Sequence, residues 1–336
     1  VRFIIYGAGA IGGVVGGLLA MSGQDVVLIG RLGQVEAINR DGLRLIMPTG
    51  TQVLRLVAVT APDQVGFEPK DVVFLCMKGQ NTAESVHDLR SVVEDVPVFS
   101  LQNGVRNEEI AAGYFPRVYG ATIRIPSVYL ADGEVIARND PPGWLLIGWY
   151  PSGVDELVES VVTKLHAAGF LARSTSDIMP HKWGKLIMNL GNAIGAVCNA
   201  KEKDVEPIAR AVQREAREIL DIAGIRGVEE EELAKDWPEI AVPPRSRLAT
   251  EAQSSTWQSL ARRQGTVETD LLNGEIVRLA EKHGRQAPIN EMLLRICERM
   301  AASRELPGKY TPAQLAALLG LDYSPYAADE PTGQQG

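Results

Sequence analysis

Apolar residues in the first half of the chain come in short runs separated by amphipathic stretches. Residues 1–6, 25–29, 72–76 and 98–101 are runs of strand length, rich in β-branched side chains and too short for helices. Stretches of helical period lie between them, which is the alternation of a parallel sheet with crossover helices. Shorter apolar segments, 43–46 and 53–59, fall between the second and third runs. Segments 117–130, 134–137 and 144–147 read as extended, with Asp132-Gly133 and Asn139-Asp140-Pro141-Pro142-Gly143 as the turns between them. Pro151-Ser152-Gly153 opens a helix predicted to run to Ala168, where Gly169 ends it.

From about Ser174 the pattern changes. Strand signals stop, and helical stretches follow at 178–198, 207–223, 228–234, 247–260, 267–283 and 289–302. The expected fold is α/β: a doubly wound sheet over residues 1–174, then an all-α domain over 175–320. Residues 321–336 are rich in Pro, Gly, Gln and Asp without an apolar period, and are expected to be a disordered tail.

Bulk properties narrow the function classes. The 336 residues suffice for two cores. A net charge of −8 provides no basic field for nucleic acid, and no window has the apolar length of a membrane span. The apolar start reads as a strand rather than a leader peptide. Cys76, Cys198 and Cys297 each follow an apolar residue, which suits buried thiols in a reducing compartment. The four histidines are scattered, so no metal site is expected. A cytoplasmic enzyme is the default expectation.

The chemistry starts at the end of the first run. Gly7-Ala8-Gly9-Ala10-Ile11-Gly12 is the GxGxxG dinucleotide fingerprint in its proper context, after a strand and opening a helix predicted to reach about Met21. Gly7 makes the tight turn, Gly9 lets the backbone approach a pyrophosphate, and Gly12 lets helix and strand pack closely. The second run ends in Leu28-Ile29-Gly30-Arg31. It lacks the acidic residue that binds ribose hydroxyls in NAD sites, and Arg31 stands where a guanidinium can hold a 2′-phosphate, which favours NADP. Lys78 and Asn103 follow the third and fourth runs, at strand carboxyl ends where open sheets bind ligands. Lys185, Asn189 and Asn192 are spaced to share one helical face. Further on come Ser254-Ser255-Thr256-Trp257-Gln258 and Gly265-Thr266-Val267-Glu268-Thr269-Asp270-Leu271-Leu272-Asn273-Gly274.

In this order and spacing, over about residues 1–305, the set resembles the ketopantoate reductase family, with its Rossmann-type domain and 6-phosphogluconate dehydrogenase C-terminal-like helical domain. The resemblance implies that NADPH reduces the C2 carbonyl of a 2-oxo acid, by default 2-dehydropantoate, with pantothenate biosynthesis as the pathway and a homodimer as a possible assembly. Lys185 then matches the general acid, with Lys182 as the competing lysine. Glu268 matches the carboxylate that holds substrate and lysine, Asn103 an amide near the nicotinamide, and Lys78 a lysine facing cofactor and substrate. Asn189 and Ser255 match residues that bind the hydroxy acid. The family's second amide lies eight residues after the lysine; that position is Ala193 here, and Asn192 is its nearest substitute. Pro288 and Asn290 fit a Pro-x-Asn helix start. Two other readings stay open: a reductase of another small 2-oxo acid or ketone, and a non-catalytic NADPH sensor.

Overall fold

A computed structural model describes residues 1–248 and 254–323. Residues 324–336 of the expected tail and residues 249–253 of the expected helix 247–260 lie outside the described residues. The chain forms two compact units: Val1–Leu186 with Gly227–Glu251, and Ile187–Arg226 with Ala252–Gly336.

The strands of the first unit are β1 Arg2–Tyr6, β2 Asp25–Ile29, β3 Leu43–Met47, β4 Gly50–Leu54 and β5 Val57–Val59. They continue with β6 Asp71–Leu75, β7 Val98–Ser100, β8 Val118–Arg124, β9 Ser127–Ala131 and β10 Glu134–Ala137. The last are β11 Asn139–Asp140, β12 Trp144–Trp149, β13 Leu171–Ser174 and β14 Ser246–Arg247. The main sheet has the order β13-β12-β8-β7-β6-β1-β2-β5. It is parallel except at the antiparallel β8–β12 pair. The connection from β1 to β2 goes one way and the later connection to β6 the other, so the crevice beside β1 is the topological switch point where such sheets bind ligands.

Its helices are α1 Ala10–Met21, α2 Leu32–Asp41, α3 Thr82–Val92, α4 Asn107–Ala112, α5 Glu156–Ala167 and the body of α6 Ile178–Asn189. Phe3, Phe74, Phe99 and Tyr119 are fully buried on adjacent strands and pack ring against ring. Each buried side chain of this size contributes about 1.5–3 kcal/mol. Helix α5 starts at Glu156, later than Pro151 suggests, because the Asp155 carboxylate caps it by accepting from the Val158 N–H at 2.8 Å.

Two predicted extended segments each split between sheets. Residues 53–59 become β4, which pairs with β3 in a four-stranded sheet, and β5, which joins β2 in the main one. Residues 117–130 become β8 in the main sheet and β9 in the small one, parted at Ile125-Pro126. β13 and the two-residue β14, which pairs with β11, are strands the apolar pattern does not announce. They are four and two residues long, too short to show a period.

The second unit is helical: α7 Gly191–Val197, α8 Glu202–Ile222, α10 Ser255–Ala261, α11 Asn273–Lys282, α12 Pro288–Ala302 and α13 Pro312–Leu318; α9 Glu230–Asp236 belongs to the first unit. The predicted helix 178–198 is interrupted at Leu190, where α6 ends and α7 begins. Asn192 therefore sits on α7, and its i+7 spacing from Lys185 no longer runs along one continuous helix. The predicted helix 267–283 likewise breaks at Leu272, after a 3₁₀ turn over Glu268–Leu271. Helix α12 begins at Pro288, as the Pro-x-Asn pattern predicts, and Glu215 accepts the N–H groups of Ile289 and Asn290 at 3.0 and 2.9 Å.

Candidate active site

The first unit gathers its polar loops at the carboxyl edge of β1, β2, β6 and β7. At the end of β1, Gly7 has φ +111°, and a Cβ there would stand 2.5 Å from the Met77 nitrogen. A Cβ on Gly12 would meet the Gly7 carbonyl at 2.2 Å, whereas one on Gly9 would meet nothing within 4 Å. Two glycines are thus forced by packing, and the middle one faces open space. That space adjoins the first turn of α1, whose N–H groups lack carbonyl partners within the helix and suit a phosphate. Ala8, Ala10 and Ile11 complete the turn. Arg31 is exposed at the start of α2. Buried Gln34 fixes that helix against the turn: its Nε2 donates to the Ala8 carbonyl at 2.8 Å, and its Oε1 accepts from the Gly133 N–H at 2.6 Å. The turn fits a dinucleotide phosphate, and Arg31 stands exposed at the start of the neighbouring helix.

Lys78 and Asn103 stand on the next two loops, Lys78 half-buried and Asn103 exposed. A buried network joins the loops from beneath. Gln102 Nε2 donates to the Met77 carbonyl at 3.0 Å and to Thr82 Oγ1 at 2.8 Å. Thr82 donates in turn to Asn107 Oδ1, and Asn107 Nδ2 donates to the Asn103 carbonyl, both at 2.8 Å. Such chains of amides and hydroxyls fix loop height in a way that packing alone does not.

Helix α6 brings two lysines of different character. Lys182 is buried, and its ammonium lies 2.5 Å from a carboxylate oxygen of fully buried Glu108. It also donates to the carbonyls of Gln102 at 3.1 Å and Ala121 at 3.3 Å. Lys185, one turn on, lines a small open cavity together with Asn103, Gly104, Thr122, Ile123 and Lys182. Its Nζ lies 5.8 Å from the centre of the Trp144 ring. Burial, with a smaller contribution from the Arg124 guanidinium, pushes its ammonium down to about 8. The Thr122 hydroxyl on this cavity is buried and has no hydrogen-bond partner among the described residues. An amide, a hydroxyl and a lysine poised to release a proton therefore share one cavity.

The remaining candidates belong to the second unit or to the end of α6. Asn189 is the last residue of α6, and Asn192 lies in the first turn of α7. Ser254 Oγ donates to the Asn192 carbonyl and accepts from the Trp257 N–H, both at 3.3 Å, so it joins α7 to α10 and caps α10. With Ser254 used as a cap, Ser255 remains the candidate for a ligand. Glu268 is half-buried and opens the 3₁₀ turn, whereas Asp270 is tied to Arg278 at 2.7 Å.

Gln34, Gln102, Thr122 and Glu108 are site-forming residues that the sequence reading does not pick out. A polar residue inside the apolar run of β8 is the one faint signal, and it points to Thr122.

Comparison with known proteins bears on the family and the fold. The family model for ketopantoate reductase PanE/ApbA matches residues 3–152, and that for its C-terminal domain matches residues 177–301. A 2-dehydropantoate 2-reductase of Pyrococcus horikoshii is 33% identical over 87% of this chain and 95% of its own length. One from Archaeoglobus fulgidus is 31% identical over 88% and 96%. The crystal structure of a PanE/ApbA family ketopantoate reductase from Ralstonia eutropha JMP134 superposes with TM-score 0.74 and 26% identity, over 90% of this chain and 99% of that one. A D-mandelate dehydrogenase with NADH and anilino(oxo)acetate reaches TM-score 0.78 at 20% identity, over 90% and 99%, a likeness of fold.

Proposed function

The chain belongs to the ketopantoate reductase family, and on that premise we propose that it is an NADP-dependent oxidoreductase that reduces the C2 carbonyl of a small 2-oxo acid, 2-dehydropantoate by default. The observation that carries this reading is the cavity where Lys185, its ammonium depressed to about 8, stands beside Asn103 at the carboxyl edge of the sheet. We assign residues 1–174 to cofactor binding and 175–320 to substrate binding and dimerisation.

When bound, NADPH supplies the hydride. The residues of this chain do the rest. Gly7, Ala8, Gly9, Ala10, Ile11 and Gly12 hold the pyrophosphate, and Arg31 pairs with the 2′-phosphate, as a bidentate guanidinium does. Lys78 and Asn103 orient the nicotinamide end. As the carbonyl oxygen gains negative charge, Lys185 donates its Nζ proton to that oxygen. An ammonium near 8 suits the transfer, because it is protonated at neutral pH yet gives up its proton readily. Glu268 holds lysine and substrate in register, and Asn189, Asn192 and Ser255 take the substrate's oxygens. The pathway reading, pantothenate biosynthesis, follows from the default substrate.

The test is NADPH oxidation across a panel of 2-oxo acids and ketones, with 2-dehydropantoate included. Turnover of 2-dehydropantoate well above the others supports the default substrate. Preference for another member makes the chain a reductase of that compound. Tight NADPH binding with no oxidation by any of them overturns the enzyme reading in favour of a sensor.

A further inference from the structure

We propose that Lys182 and Glu108 form a positioning clamp that sets Asn103, Thr122 and the Lys185 turn of helix α6 at their working spacing. The proposal rests on the reduction reading above. Its basis is which peptide groups the Lys182 ammonium holds. The Gln102 carbonyl belongs to the peptide whose N–H is that of Asn103, and the Ala121 carbonyl to the peptide whose N–H is that of Thr122. Lys182 binds both carbonyls, at 3.1 and 3.3 Å, and so fixes the two peptides that carry the cavity's amide and hydroxyl. Glu108 completes the clamp at 2.5 Å, and its neighbour Asn107 donates to the Asn103 carbonyl at 2.8 Å. Lys185 is three residues further along the same helix, a neighbour on its surface. One buried ammonium thus joins α4, the end of β7, β8 and α6 at the side of the cavity.

Stability alone is a poor reason for such a pair. An apolar pair of similar volume would join the same elements without the desolvation of two charges. What an apolar pair lacks is direction: it leaves both carbonyls unheld and the loops free to shift by fractions of an ångström. Displacements of that order are costly in a site that works by alignment. Lys182 is therefore a positioning residue that acts through Asn103, Thr122 and Lys185.

The test replaces both charges at once with Lys182→Met and Glu108→Gln, so that no charge is left buried alone. The expected result is a ten- to hundredfold fall in kcat, with the NADPH dissociation constant within twofold and a melting temperature within a few degrees. A kcat within threefold of the parent overturns the proposal, as does a loss shared in proportion by kcat, NADPH affinity and melting temperature. NMR titration of ¹³Cε-lysine protein, with Lys185 assigned through Lys185→Met, provides a readout without turnover. In the double variant the Lys185 midpoint is expected to move by half a pH unit or more. If the parent turns over no member of the panel, the reduction reading fails on its own, and the titration alone decides the clamp, an unmoved midpoint overturning it. If the double variant does not fold, Lys182→Arg, which keeps the buried charge paired with Glu108 but re-aims its donors, carries the same test: a three- to tenfold fall in kcat is expected, and a kcat within twofold of the parent overturns the proposal.

Discussion

Two buried polar networks, one beneath the carboxyl edge of the main sheet and one inside the helical unit, use the same residue types and end differently. In the helical unit the Asn290 amide is wholly used. Its Nδ2 donates to the Val212 carbonyl and to Glu215, and its Oδ1 accepts from Asn273 Nδ2. Glu215 spends its other contacts on the start of α12. The sheet-edge network instead runs outward. It passes through Gln102, Thr82 and Asn107 to the loops of Lys78 and Asn103, and leaves the Thr122 hydroxyl without a described partner at a cavity. The helical network is spent within its unit apart from the buried Asn273 Oδ1, which has no partner among the described residues, and a network satisfied to that degree adds stability. One that leaves a directed hydroxyl, that of Thr122, without a described partner at a cavity holds a site ready at some cost in stability.

The sharpest way to break this contrast is at Lys185. Lys185→Met is expected to lower kcat by about two to four orders of magnitude, as loss of a general acid does, with the NADPH dissociation constant changed by less than about threefold. Steady-state kinetics and a fluorescence titration of NADPH check it. An intact kcat would transfer the role to another donor and make the open network structural as well.

The counterpart in the closed network is Asn290→Leu, nearly equal in volume. It strands the Val212 carbonyl and the Asn273 amide and leaves Glu215 with fewer donors. Each buried group left unpaired costs about 1–3 kcal/mol, so the expected loss is about 2–4 kcal/mol in urea unfolding, with kcat of the folded protein within about twofold. A large kcat effect with unchanged stability would erase the distinction between the networks.

A smaller effect is expected at the rim of the first unit. Arg31→Ala should weaken NADPH binding by about ten- to a hundredfold, the worth of a charge-assisted phosphate pair, and NADH binding by less than about twofold. Calorimetry with both nucleotides measures it. Equal losses would mean that Arg31 does not read the phosphate.

The contrast also explains what was legible in the sequence. β1, α1 and β2 were, because a run, a glycine turn and a second run are local signals, and α1 has the predicted bounds Ala10–Met21. That Arg31, Lys78 and Asn103 stand just beyond strand carboxyl ends was legible, because each follows a strand by two or three residues. The splitting of 53–59 and 117–130 was not, because a change of sheet leaves an extended chain extended. Nor was the break at Leu190, where both flanking segments are apolar and helical, with nothing in Asn189-Leu190-Gly191 but one glycine to mark it. Lys182 and Lys185 differ by their surroundings alone. The partner of Lys182 lies 74 positions earlier at Glu108, beyond any local pattern.

The smallest predicted effect is also the one that ties function to stability most directly. Burial holds the Lys185 ammonium at about 8, below its ordinary 10.5, so the unfolded chain binds its proton more tightly than the native one does. Stability rises with pH wherever the unfolded state carries more protons. The cost of this lysine is therefore fully present below about pH 8 and fades as pH approaches 10.5. Methionine removes that cost and forfeits the contact of the ammonium with the Trp144 ring, which offsets part of the gain. Lys185→Met is thus expected to be more stable than the parent by about 1–2 kcal/mol at pH 7, since each pH unit of displacement corresponds to about 1.4 kcal/mol. The advantage should shrink steadily from pH 8 to pH 10, in urea unfolding of both proteins side by side; other titrations common to the two chains cancel in the difference. A gain that does not change with pH would trace to packing alone. A loss at every pH would mean that the ammonium is stabilising where it sits, and that the open network carries no strain at its outermost group.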